Sequence, residues 1–174
     1  SNHLLNVVTE ATTNNLQTKL YSPHPIENGK AVVYFSLGSN LGNREQNIHN
    51  ALQMLEQHIG FPIRRSAFFY SEPWGFQSPH SFCNICASFF TPMCPSEVLC
   101  ATQQIERTLG RTHKSQHGHY RDRLIDIDML LYITPQGHSL SIQTPDLTLP
   151  HPLMHLRPFV MAPLLEILPP PTIS

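Results

Sequence analysis

Arg121-Asp122-Arg123-Leu124-Ile125-Asp126-Ile127-Asp128-Met129-Leu130-Leu131-Tyr132 is the stretch whose reading decides the fold. From Leu124 it is β-branched and apolar with no Gly or Pro, which predicts a strand. Alternate side chains of a strand share a face, with their Cα atoms roughly 6–7 Å apart. Asp126 and Asp128 therefore point one way, while Ile125, Ile127 and Met129 point the other way, into a core. Neighbouring carboxylates repel each other and resist burial. A divalent cation between them removes both penalties, and oxygen-only ligands favour Mg²⁺ over Zn²⁺. Arg121 and Arg123 precede the strand and carry guanidinium groups suited to phosphate oxygens. Two readings follow for this segment alone: Mg-nucleotide chemistry, or an exposed edge strand with a solvated acidic face.

The chain has 174 residues, 40% of them hydrophobic and 13% charged, which fits one domain with a full-sized core. A formal net charge of −1 excludes a global basic field that would hold a nucleic-acid backbone. The cations are nevertheless uneven. Arg107, Arg111, Lys114, Arg121 and Arg123 are five of the eleven Lys and Arg residues, so a local anion site is expected. Cys83-x-x-Cys86 falls in a strand-like run, which puts the two thiols on opposite faces and prevents a zinc clamp. Cys83, Cys86, Cys94 and Cys100 are read as reduced, mostly buried thiols of a cytoplasmic protein. No apolar segment is long enough to predict a membrane span or a signal peptide.

Residues 1 to 30 are polar and rich in Asn and Thr, and read as an N-terminal extension, with the domain proper over 31–174. Ala31 to Leu37 predicts a strand, followed by the turn Gly38-Ser39-Asn40-Leu41-Gly42-Asn43. Asn43-x-x-Gln46 has the form of a capping box, and Ile48, Ala51, Leu52, Leu55 and Ile59 recur at helical spacing up to Gly60. The turn lacks the Lys-Ser/Thr of a P-loop, so a tight turn with a cap is the better reading than a phosphate cradle. Ile63 to Ser71 predicts a second strand, Glu72 to His80 a loop, and Phe82 to Thr91 a third strand. Asn84, polar among apolar residues, is either a satisfied core amide or a reader of a heterocycle edge.

Pro95 opens a helix that runs to Leu109 and stops at Gly110, with Val98, Leu99, Thr102, Ile105 and Leu109 on its inner face. Gln103 and Glu106 share another face. Arg111 to Asp122 is a long polar connection carrying His113, His117 and His119. After the acidic strand come a turn through Gly137, a short strand over Ser139 to Thr144, and one or two short helices between Met154 and Leu168. The order strand, helix, strand, strand, helix, strand predicts an α+β, ferredoxin-like βαββαβ antiparallel sheet. Helices are expected on one face, and a C-terminal hairpin and short helices are expected to extend or cover the sheet.

Over residues 32 to 168 the chain resembles the 6-hydroxymethyl-7,8-dihydropterin pyrophosphokinase family. The resemblance is carried by Tyr34-Phe35-Ser36-Leu37-Gly38-Ser39-Asn40-Leu41-Gly42, Ser71-Glu72-Pro73-Trp74-Gly75, Phe82-x-Asn84 and Gly110-Arg111. It continues in Arg123-Leu124-Ile125-Asp126-Ile127-Asp128, Leu149-Pro150-His151-Pro152 and Arg157-x-Phe159. It implies a diphosphotransferase of folate biosynthesis that moves pyrophosphate from ATP to the pterin hydroxymethyl group and releases AMP. Asp126 and Asp128 would hold two Mg²⁺ ions, and Arg111 and Arg123 would contact phosphates from two arms of a loop. The implied ATP site takes Gln103, Glu106, Arg111, Lys114, Arg121, Arg123, Met129, Thr148, His151 and Arg157. The implied pterin site takes Ser71, Glu72, Trp74, Asn84, Tyr120 and Asp126, with Phe82 and Phe159 sandwiching the ring.

Elementary chemistry agrees with this. Two metals flanking the attacked phosphorus stabilise the entering and leaving oxygens, and arginines compensate developing charge. A flat heterocycle suits aromatic stacking plus an amide. This chain departs from the commonest family pattern at Asp122, where many members have Pro, and at Tyr120, where Trp is frequent. The expected partners are the two small-molecule substrates, with no nucleic acid and no membrane. A monomer is expected, either as a short monofunctional form or as part of a longer folate-pathway fusion. The competing classes are a ferredoxin-like RNA-binding module and a non-catalytic nucleotide sensor. The first lacks a broad basic surface, and the second sits poorly with an intact Asp126, Asp128, Arg111 and Arg123.

Overall fold

The computed structural model describes residues 29–71, 81–110 and 124–169. Its centre is β1 (Ala31–Ser39), buried along its whole length. A strand can be apolar on both faces only when both faces are covered. Antiparallel partners flank β1 on either side, β4 (Phe82–Thr91) and β5 (Asp126–Ile133). The sheet order is β2-β4-β1-β5, where β2 is Pro62–Arg65, and β3 (Phe69–Ser71) also pairs with β4. This is the expected ferredoxin-like order, with β2 and β3 together in the place of one strand.

The expected single strand over Ile63 to Ser71 is thus broken in two. The cause is Ser66, which is 3% exposed between the pieces. Its N–H donates to Cys86 O at 2.9 Å, and its Oγ accepts the Cys86 N–H at 3.0 Å. A side chain has taken over a ladder bond, which bends the strand. The bend turns the Ala67 N–H outward, where it donates to Glu166 Oε1 at 2.9 Å.

Helix α1 (Arg44–His58) and helix α2 (Pro95–Gly110) pack on one face of the sheet. Ile48, Ala51, Leu55, Val98 and Ile105 meet Val33, Phe35, Leu37, Ile85 and Phe89 in one core. On α1, Asn43 Oδ1 accepts the Gln46 N–H at 3.1 Å, as a cap should. Gln46 does not complete the expected capping box, because its amide donates to Asn50 Oδ1 instead. Gly60 has a different role from the expected helix stop. The helix is capped by Ile59 in a right-handed conformation, with the Ile59 carbonyl accepting from Thr91 Oγ1. A Cβ on Gly60 would stand 1.7 Å from Phe90 O, so the glycine is needed for close approach to β4.

The opposite face is covered by α3 (Pro158–Ile167), where the sequence placed C-terminal decorations. Val160, Met161, Leu164 and Ile167 pack there on Val32, Tyr34, Cys86, Leu131 and Ile133. Helices therefore lie on both faces rather than one. A β-bulge between Tyr34 and Phe35 leaves Leu130 as the extra residue of β5. It reverses the strand's alternation: Ile127 and Met129 face α1 and α2, but Leu131 and Ile133 face α3.

The expected strand at Ser139 to Thr144 shrinks to a bridge at Ser139 and to β6 (Ile142–Gln143), which pairs with β7 (Thr148–Leu149). The one or two short helices expected between Met154 and Leu168 are a 3₁₀ turn over Met154–Leu156, with Leu156 56% exposed, and α3. Cys83 and Cys86 are buried on opposite faces as expected, but Cys94 and Cys100 are exposed. Among the described residues, no helix is long and apolar enough to cross a membrane.

Candidate functional site

The α3 side of the sheet is apolar only toward one end. Toward the other end, Ser36 and Gly38 of β1, Asn84 of β4 and Asp126 and Asp128 of β5 bring polar groups, or no side chain at all, to this face, beside Phe82. The strand register aligns them in rows. Asn84, Gly38 and Asp126 are direct neighbours across three strands. One step along, Cys86, Ser36 and Asp128 form the next row. Adjacent strands lie about 4.8 Å apart, so each row spans about 10 Å.

Asp126 and Asp128 are half-buried, while Ile125, Ile127 and Met129 between and beside them are buried on the other face. The alternation read from the sequence is therefore present, although the strand begins at Asp126 rather than Leu124. Both residues interact with neighbouring groups. No group of three or more His, Cys, Asp and Glu side chains is placed to hold a metal ion among the described residues. Two carboxylates on one partly exposed face are an oxygen-only donor set. They fit a hard cation such as Mg²⁺, which keeps waters and takes further oxygens from phosphates.

Asn84 is 4% exposed and donates from Nδ2 to Ser71 Oγ at 3.4 Å. Phe82 lies on the same face of β4, half-buried, opposite Ser71 in the register. Phe159 stands in the first turn of α3 and packs against the core beneath that helix. Arg157 is the residue that enters α3, accepting from the Val160 and Met161 N–H groups through its carbonyl. The His151 N–H donates to Leu130 O at 2.9 Å, which ties that segment to β5. Burial, then the nearby Arg157 charge, push the His151 imidazole below its usual pKa; Asp126 pulls the other way. These three side chains therefore share one electrostatic environment, with His151 neutral at pH 7.

Other expected site residues are placed differently. The Met129 side chain is 5% exposed in the core under α1 and α2, so only its main chain is available to the opposite side. Gln103 and Glu106 stand on the last turns of α2, exposed and half-buried. Thr148 is half-buried in β7. Glu72, Trp74, Arg111, Lys114, Tyr120, Arg121 and Arg123, with His113, His117 and His119, lie outside the described residues.

The sequence reading missed Gly38 and Ser36 as the floor between the polar groups. It also missed Arg44. Its Nη1 donates to Ser81 O at 2.9 Å and to Ser81 Oγ at 2.6 Å, and its guanidinium lies 5.4 Å from the Tyr70 ring centre. The Tyr70 hydroxyl donates to Glu45 Oε1 at 2.7 Å, and that bond pushes its pKa up to about 12. The first turn of α1 thus holds β3 and the entry to β4 together. Asn47 supports the preceding turn, donating to Ser39 Oγ at 3.1 Å and to Leu41 O at 2.8 Å. The dense Gly-Ser-Asn turn was the available signal for this.

Comparison with known proteins gives the family. The profile of the family described as 7,8-dihydro-6-hydroxymethylpterin-pyrophosphokinase (HPPK) matches residues 34–169. A Porphyromonas gingivalis protein named 2-amino-4-hydroxy-6-hydroxymethyldihydropteridine pyrophosphokinase is 47% identical over 140 residues, covering 80% of this chain and 92% of that one. A Bacillus subtilis protein of the same name is 37% identical over 137 residues, covering 78% and 77%. In fold, the chain is similar to a crystal structure described as HPPK-DHPS in complex with substrates. The TM-score is 0.58 at 13% identity, over 80% of this chain and 40% of that one. The chain belongs to the 7,8-dihydro-6-hydroxymethylpterin-pyrophosphokinase family.

Proposed function

We propose that this chain transfers the pyrophosphoryl group of MgATP to the hydroxymethyl oxygen of 6-hydroxymethyl-7,8-dihydropterin, giving the pterin diphosphate and AMP. The observation that carries the proposal is the row Asn84–Gly38–Asp126 with Asp128 beside it. An amide, an open floor and two carboxylates stand within the length of a bicyclic ring and its hydroxymethyl arm.

In this reaction the pterin oxygen bonds to the β-phosphorus while the bond from that phosphorus to the α–β bridging oxygen breaks. AMP departs with the bridging oxygen, and the hydroxyl proton goes to solvent. Asp126 and Asp128 would hold the Mg²⁺, two ions in this proposal, which would supply charge neutralisation at the phosphates and make the pterin hydroxyl a better nucleophile. Arg111 and Arg123 take the equatorial phosphate oxygens, with Lys114 and Arg121 beside them. Gln103, Glu106, Thr148, His151, Arg157 and the main chain at Met129 line the nucleotide. His151 serves as a hydrogen-bonding group there. Phe82 and Phe159 flank the pterin ring, Asn84 reads its edge, and Ser71, Glu72, Trp74 and Tyr120 complete its pocket.

Residues 31–174 form the catalytic domain, with 1–30 an extension outside it, and the enzyme acts as a monomer. ATP use and four free thiols favour a cytoplasmic location.

The test is AMP release from ATP, with and without the pterin, in Mg²⁺ and then in EDTA. Pterin- and Mg²⁺-dependent AMP is the expected product. ADP in its place would mean attack at the terminal phosphate and would overturn the proposal.

A further inference from the structure

Between Asn84 and Asp126 the sheet carries no side chain, because Gly38 lies there. A Cβ built on Gly38 would stand 2.6 Å from Asn84 Oδ1, 3.7 Å from Asn84 Cγ and 3.8 Å from Phe82 Cδ1. Real Cβ atoms do not approach that Oδ1 distance. The carbonyl end of the Asn84 amide therefore occupies the volume that any other residue at position 38 would fill.

The two partners of the clash cannot easily part. Gly38 is in the central strand, paired to Asn84 on one side and Asp126 on the other. Asn84 is 4% exposed, and its Nδ2 is directed to Ser71 Oγ at 3.4 Å. Rotating the amide away from position 38 would separate a buried donor from its acceptor, which proteins rarely tolerate.

We propose that Gly38 and Ser71 are positioning residues that set the Asn84 amide with its carbonyl oxygen over the floor of the site. Ser71 holds the NH₂ end, and Gly38 leaves room for the oxygen. Asn84 then meets the flat heterocycle as an acceptor, so an N–H of the ring edge is the feature selected. This rests on the activity proposed above. It goes beyond it by assigning two residues that act on specificity through a third. A ring that presents only an acceptor at that edge leaves Oδ1 facing a lone pair and is rejected.

The experiment is a double-mutant cycle on pterin binding to the full chain, measured by calorimetry with Mg²⁺ and a non-hydrolysable ATP analogue present. Gly38→Ala is expected to weaken pterin binding by about tenfold or more, and Ser71→Ala by about threefold. Binding of the ATP analogue should stay within about twofold in both. In an Asn84→Ala background both penalties should disappear, because the amide they act through is gone. Pterin affinity unchanged in Gly38→Ala would overturn the proposal. So would an equal penalty that persists without Asn84, since the Cβ would then act on the substrate or the sheet directly. If Gly38→Ala does not fold, the Ser71 and Asn84 variants complete a cycle by themselves, and additivity between them overturns the proposal. Pterin-dependent AMP release by the unaltered chain is measured first. Its absence overturns the activity and this inference together, whereas its presence with a flat cycle overturns this inference alone.

Discussion

The two faces of the sheet differ in what they ask of the same strands. The face under α1 and α2 is closed and apolar from Ala31 to Leu37 and from Cys83 to Phe89. The face under α3 is apolar only around Tyr34, Leu131 and Ile133, and then changes to Ser36, Asn84, Asp126 and Asp128. One side supplies burial energy along its whole length; the other gives up part of that burial to hold polar groups in rows. A rigid, fully packed back layer is what allows the front layer to carry two half-buried carboxylates.

The largest effect should come from breaking the polar face. Asp126→Ala or Asp128→Ala is expected to lower AMP-forming turnover by about a thousandfold or more, with the melting temperature nearly unchanged. Full activity in either variant would sink the assignment of the metal pair. The matching break on the apolar side is Gly60→Ala, whose Cβ would meet Phe90 O. It should cost about 3 kcal/mol of stability in denaturant unfolding and leave the turnover of the folded fraction intact. A loss of turnover without a loss of stability would show that the two faces are not separable in this way.

The comparison sharpens with pH. The folded pKa of His151 lies below its ordinary value, through burial and Arg157. The unfolded chain therefore takes up a proton first as the pH falls. The stability tied to neutral His151 is complete above the unfolded value, near 6.5, and is lost as the pH drops through the depressed folded value. Melting curves between pH 7.5 and 5 should show a shallower acid slope in His151→Gln than in the unaltered chain. Identical slopes would remove His151 from the shared environment of Asp126 and Arg157. The smallest effect is expected at the rim. Tyr70→Phe removes an exposed bond to Glu45 and should shift the melting temperature by less than about 2 °C. A larger shift would make that corner part of the structural core.

Much of this was legible locally. The alternation at Asp126-Ile127-Asp128 puts the carboxylates on one face, and both helices begin and pack where their spacing says. Apart from the local Gln46–Asn50 bond, the departures at Ser66, Gly60 and β5 share a cause in contacts between segments distant in the chain. Ser66 reads as an ordinary strand residue until Cys86 lies beside it. Gly60 reads as a helix stop until Phe90 approaches. The bulge opposite Tyr34 and Phe35 has no mark in β5 itself, since Leu130 and Leu131 are both apolar.

The sequence by itself determined the central strands and both flanking helices, the parity of the acidic pair and the family. Each depends on spacing within one segment or on motifs in a fixed order. Only the tertiary structure decided that Gly38 would lie between Asn84 and Asp126, with Ser71 at the far end of the amide. That adjacency follows from strand register. Register is set jointly by packing on both faces of the sheet, so no single segment contains it.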